Sequence, residues 1–205
     1  MSVLTREDLR KHSPLTWAAA VALLAVSAWF WHLHKGNAAG ATLLATLGCL
    51  GIVLPPRERM AVLPDRVRAL PRSLDATPFL ATLLSSPGYG LNWFYGENPY
   101  DEVVHLVSGT LAGAVFAAFL LADGVPRSRP RLLLVGLVFG IALGSVWEVF
   151  EWVTRLIGDF QDTWTDIVLT ASGGALGAWL WGARSAVRPP SAVPAPPASR
   201  PLAAE

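Results

Sequence analysis

The sequence predicts an all-α, polytopic transmembrane helical bundle of six spans, of which the third is short or broken. Hydrophobic residues make up 53% of the 205 residues and charged residues only 15%. In soluble domains, about a quarter of all residues are charged. Apolar segments recur along the chain, each close to the roughly 20 residues that a helix needs to cross the hydrocarbon. The net charge of +1 gives no global field that would attract nucleic acid.

Five segments are apolar enough to be assigned as spans directly. They are residues 15–33, 38–54, 103–121, 132–153 and 166–181. Residues 1–14 are expected to form a short cytoplasmic N-terminus, and the membrane domain covers residues 15–182. Residues 183–205 are rich in proline and alanine, a composition typical of a disordered tail, and we expect this tail to be cytoplasmic.

Residues 77–95 are ambiguous because proline, glycine and serine interrupt their apolar character. If this segment crosses the membrane, 14 of the 16 basic residues lie on the same side as both termini. If it does not cross, the division is nine to seven. The cytoplasmic side carries the excess of lysine and arginine, so we expect six spans with both termini cytoplasmic. The third span is expected to be short, or to be broken at Pro87-Gly88 and shielded by its neighbours.

Six ionisable residues from three segments lie near the outer membrane face in this topology. They are Asp101, His105, Glu148, Glu151, Asp162 and Asp166. Gly136, Gly140, Gly144 and Glu148 recur at every fourth position, and small residues at this spacing let membrane helices pack closely. We expect the acids to continue such packing seams and to point into the bundle, as intramembrane ionisable groups almost always do.

The chemistry of these side chains supports three hypotheses. Carboxylates with one imidazole suit a divalent metal ion, so the leading hypothesis is an outward-facing pocket that binds a cation or a polar lipid headgroup. Metal-assisted chemistry on a lipid-linked or small envelope substrate would extend it. The second hypothesis is a proton- or cation-coupled carrier of a small molecule, with the broken third segment as its gate. The third is a structural membrane protein without a ligand site.

Local explanations compete with the pocket at several positions. Glu151 and Arg155 are four residues apart, as are Asp101 and His105, and each pair could simply form on its own helix. Asp162 could cap the last span. Three tryptophans are candidates for lining the pocket, although packing at the lipid boundary explains them as well. They are Trp147, Trp152 and Trp164. No GxSxG elbow, P-loop or dinucleotide motif assigns a reaction.

Aspartate and histidine open one predicted span, tryptophans flank two glutamates in the next, and spaced aspartates precede a glycine-rich last span. The residues are Asp101, His105, Trp147, Glu148, Glu151, Trp152, Asp159, Asp162, Trp164, Asp166, Gly173, Gly174 and Gly177. With this pattern residues 75–182 resemble the YjdF-like family of uncharacterised bacterial inner-membrane proteins. The opening and the last span are also similar, more distantly, to VanZ-like membrane proteins. The resemblance implies a multi-pass protein of the bacterial plasma membrane and carries no established activity.

Overall fold

The structure, a computed structural model, describes residues 4–95, 98–154 and 160–187, and within these ranges it contains helices and turns but no strand. The predicted all-α bundle is therefore confirmed. Short 3₁₀ turns occupy Arg57–Arg59, Arg72–Leu74 and Trp93–Tyr95. The α-helices of the described ranges are α1 (Arg6–Arg10), α2 (Pro14–His32), α3 (Gly36–Val53), α4 (Asp65–Arg68), α5 (Thr77–Leu91), α6 (Tyr100–Leu121), α7 (Arg129–Thr154) and α8 (Phe160–Val187).

Four helices of the described ranges, α2, α3, α6 and α7, are long and apolar enough to cross a membrane. Their ends agree with the predicted spans to within three residues. Large apolar side chains such as Ile52 and Val146 are exposed on them, by 74% and 68%, as expected for a surface that faces lipid. The count of six crossings stays a prediction. Most of the predicted disordered tail, residues 188–205, lies outside the described residues.

The third predicted span is short but not broken. Helix α5 continues through Pro87 and ends at Leu91. Its C-cap, Asn92, has a φ of 61°, the left-handed conformation common at helix C-termini. In the turn before the proline, the Tyr100 hydroxyl donates a hydrogen bond to the carbonyl oxygen of Leu84. Its 15 residues give α5 a length of about 22 Å, less than the roughly 30 Å of hydrocarbon. Of the two predicted forms of this span, short or broken, the structure has the short one, without a break at Pro87-Gly88.

The long helices form two groups of three. Helices α2, α3 and α5 pack around a core that includes Leu23 and Phe79, and α6, α7 and α8 pack around Leu132 and Ala178. Helix α5 also packs against α6 and so joins the two groups. Within the second group, α8 lies against both α6 and α7. This arrangement brings the start of α6, the end of α7 and the start of α8 to one end of the bundle.

Glycines bring α7 and α8 into direct backbone contact. A methyl group on Gly136 would lie 2.5 Å from the carbonyl oxygen of Gly174, and one on Gly140 would lie 2.6 Å from the Cα atom of Ala171. The predicted close packing along this seam is confirmed. Glu148 continues the seam by one further step of four residues and is only 5% exposed.

A second glycine seam, between α6 and α8, was not predicted. Gly109 and Gly113 on α6 lie against the backbone of Thr170 and Gly174, and neither position has room for a methyl group. The four-residue spacing of these two glycines was visible in the sequence and is the signal that could have revealed the seam. The two seams together set the distance between the acidic side chains of the three helices.

Candidate functional site

His105 lies between two carboxylates at the start of α6. Its Nε2 atom is 3.5 Å from Asp101 Oδ1 and 3.5 Å from Asp166 Oδ2. Both distances exceed the roughly 2.7–3.2 Å of an N–H···O hydrogen bond. They are close to the separation of two ligand atoms on one tetrahedral ion, which is about 3.4 Å for bonds of about 2.1 Å. The spacing is therefore compatible with His105 and the two aspartates as ligands of one metal ion.

The second ring nitrogen of His105 also has a contact. Its Nδ1 atom lies 3.1 Å from the hydroxyl oxygen of Thr170 on α8. Metal-binding histidines usually use their second ring nitrogen for such a contact, which fixes the orientation of the ring. Thr170 was not among the candidate residues, although it follows Asp166 by four positions and so shares its helix face.

Three carboxylates form a second group beside the first. One oxygen each of Glu148, Glu151 and Asp166 lies within 4.8 Å of the others, and the same holds for ligand atoms of Asp101, His105 and Asp166. Asp166, which is 2% exposed, belongs to both groups. Among the described residues no lysine or arginine pairs with any of the four acids of these two groups, which are Asp101, Glu148, Glu151 and Asp166. The cluster therefore places four carboxylates around a single imidazole, that of His105.

Of these side chains, Glu148 has the fewest hydrogen-bond partners among the described residues. Neither of its carboxylate oxygens has a hydrogen-bond partner among the described residues. The Thr163 hydroxyl approaches it but lies outside hydrogen-bonding geometry. Glu151 differs, because the indole nitrogen of Trp147 donates a hydrogen bond to its Oε1 at 2.9 Å. A buried carboxylate without a partner costs several kcal/mol, and a bound cation would remove that cost.

A cavity of about 830 Å³ adjoins the cluster and extends between the two groups of helices. Asp101, His105 and Glu151 line its acidic side, and small apolar residues of α3 and α5, such as Ala45 and Ala81, line other parts of its wall. Its volume lies within the roughly 300–1,000 Å³ of small-molecule pockets. An apolar group could lie between the helices while its polar end reaches the acids.

Of the remaining candidate residues, two line the cavity and two do not. Asp162 and Trp147 line the cavity. Trp152 and Trp164, also expected to line it, are 69% and 61% exposed and do not. Trp164 lies two positions from Asp166 and so on the opposite side of α8, and Trp152 lies in the last turn of α7, beyond the glycine seam.

The local explanations for Asp162 and Glu151 concern side chains close to the undescribed residues 155–159. Asp162 lies in the first described turn of α8 (Phe160–Val187), and its role as a cap stays a prediction. The alternative pairing of Glu151 with Arg155 falls on a residue outside the described ranges. The same holds for Asp159.

Comparisons with known proteins identify a family but no characterised relative. Residues 14–187 match a family model described as "Predicted membrane protein (DUF2238)". The match includes the four apolar helices and all six ionisable candidate residues. No curated protein and no solved structure matches the chain.

Proposed function

The chain belongs to the DUF2238 family of predicted membrane proteins, and we propose that Asp101, His105 and Asp166 bind a divalent metal ion. The observation that carries this proposal is the spacing of 3.5 Å from His105 Nε2 to an oxygen of each aspartate. A histidine with two carboxylates suits zinc or manganese. The contact of Thr170 with the second ring nitrogen would present Nε2 to the ion.

The proposed location is the plasma membrane of a bacterium, as the YjdF-like resemblance implies. Both termini would be cytoplasmic and the acidic cluster would lie near the outer face. The distribution of the basic residues supports this orientation, because it places 14 of 16 on the cytoplasmic side. The ion would then be reached from outside the cell or from the outer leaflet.

The cavity supports a lipid-linked or small polar ligand as the partner of the ion. Its acidic side would carry the ion, which could polarise an oxygen of the ligand or activate water. Its apolar walls would accommodate a hydrocarbon part. The carrier hypothesis loses the feature that suggested a gate, because α5 is continuous through Pro87. The structural hypothesis predicts that neither the parent protein nor any variant binds an ion.

Metal content tests the proposal. The full chain would be purified in detergent with a tag that does not bind metals, incubated with Zn²⁺ or Mn²⁺, desalted and analysed by elemental mass spectrometry. We expect at least one ion per chain in the parent, and a lower metal content than the parent's in both His105→Gln and Asp166→Asn. His34→Gln is the matched control, because His34 is exposed and belongs to neither acidic group. This variant should retain the metal. A parent protein without metal, or a His105→Gln variant with undiminished metal, would overturn the proposal.

A further inference from the structure

We infer that a second divalent cation binds between Glu148, Glu151 and Asp166, so that Asp166 bridges two ions. The inference rests on the proposed function, which supplies the first ion at Asp101, His105 and Asp166. Within each set of three residues, the ligand atoms lie within 4.8 Å of one another, and Asp166 belongs to both sets. A carboxylate has two oxygens and can bind one ion with each. Shared carboxylates of this kind hold the two ions of binuclear sites about 3.5–4 Å apart.

Glu148 is the independent observation that points to the second ion. It is 5% exposed, both of its oxygens are buried, and neither has a hydrogen-bond partner in the described part of the chain. Its neighbours Glu151 and Asp166 are themselves carboxylates, so the side chain faces like charge. A cation between the three carboxylates would give Glu148 a partner and offset the like charge around it.

The charges of the cluster favour two ions over one. Asp101, Glu148, Glu151 and Asp166 carry four negative charges when ionised, and a single divalent ion neutralises half of them. Two divalent ions balance all four. The second set consists of oxygen ligands alone, which suit Mg²⁺, Mn²⁺ or Ca²⁺, whereas the first set includes an imidazole. The indole of Trp147 donates a hydrogen bond to one oxygen of Glu151 and so orients this carboxylate.

The stoichiometry of Mn²⁺ binding tests the inference. We expect two ions per chain in the parent protein and one ion in Glu148→Gln, which keeps the shape of the side chain and removes its charge. His105→Gln should also retain one ion, and Asp166→Asn should retain none. Glu102→Gln is the matched control: Glu102 neighbours Asp101 but is exposed and belongs to neither set, so this variant should keep two ions.

The outcomes separate the two proposals. One ion per chain that is lost in His105→Gln but not in Glu148→Gln would overturn the second ion and leave the first proposal standing. No ion in the parent would overturn both. Electron paramagnetic resonance of the Mn²⁺-loaded parent provides a readout that needs no variant. A bridged pair gives a spin-coupled multiline spectrum, whereas the six-line spectrum of isolated ions at full loading would contradict a shared Asp166.

Discussion

The two ends of the helical bundle differ in whether their buried carboxylates have basic partners. At the end where α2 and α5 begin, Asp75 is 3% exposed and lies 2.7 Å from His12 Nδ1, 2.6 Å from Arg57 Nη1 and 3.3 Å from Arg72 Nη1. At the other end, Glu148 is almost equally buried and has no partner in the described residues. One end therefore balances its buried charge with basic side chains of the chain itself, whereas at the other end the proposed ions would balance it.

The difference extends beyond these two residues. At the first end Asp8 pairs with Arg59 and Lys11, and Asp123 pairs with both Arg66 and Arg127. These contacts connect α1, the segment between α3 and α5, and the loop after α6. Carboxylates paired in this way stabilise the arrangement of the chain. Carboxylates left without cations are costly to bury and are therefore candidates for binding.

The largest effect is expected when the paired end loses its central charge. Asp75→Asn leaves the buried guanidinium of Arg57 and the side chain of His12 without their anion, which should lower the free energy of unfolding by about 3–5 kcal/mol. The same kind of change at the other end, Glu148→Gln, removes an unpaired charge and should not destabilise the metal-free protein. Denaturant unfolding in detergent measures both.

Asp65→Asn is the matched control for this comparison. The Asp65 side chain is 90% exposed and, among the described residues, pairs with Arg68 three positions away, so its loss should cost less than about 1 kcal/mol. If Asp75→Asn cost no more than this control, or if Glu148→Gln cost as much as Asp75→Asn, the two ends would not differ in the way proposed.

The sequence predicted the acidic end better than the paired end, and the reason is local periodicity. Gly136, Gly140 and Gly144 fix one face of α7, so the burial of Glu148 follows from a repeat of four. The contact of His12 with Asp75 joins residues 63 positions apart, and no periodic pattern specifies which of several arginines also reaches that acid. The cavity likewise was beyond prediction in detail, because it lies between two groups of helices whose relative placement depends on tertiary packing.

An intermediate effect is expected when the packing that positions the acids is disturbed. Gly140→Leu places a side chain where a single methyl group would already lie 2.6 Å from Ala171 Cα. The helices α7 and α8 must then separate, at a cost of about 1–3 kcal/mol. Glu148 would move away from Asp166, and we expect the metal content to fall below that of the parent.

Gly48→Leu is the matched control for the packing variant, because Gly48 on α3 has no atom near the position of an added Cβ. It should leave both the unfolding free energy and the metal content close to those of the parent. If Gly140→Leu retained all of its metal, helix packing would not be what holds the ligand atoms together.

The smallest effect is the pH dependence of the paired end. The guanidinium of Arg72 donates to both carboxylate oxygens of Glu58, at 2.7 and 2.6 Å, and lowers the pKa of Glu58 from 4.5 to about 2. Because the pKa is lower in the folded protein, the pair stabilises it fully above about pH 4.5. This stabilisation is lost as the pH falls towards 2. Exposure of the Glu58 side chain limits the effect to less than about 1 kcal/mol.

Unfolding measured at several pH values between 6 and 2.5 tests this dependence. Glu58→Gln should be less stable than the parent at pH 6, and the difference should shrink as the pH falls, because the parent then loses the same charge by protonation. Glu7→Gln removes an exposed carboxylate of α1 and should follow the parent throughout. A difference between Glu58→Gln and the parent that stayed constant with pH would mean that shape, rather than charge, makes this contact stabilising. The contrast between the two ends would then rest on Asp75 and its three partners.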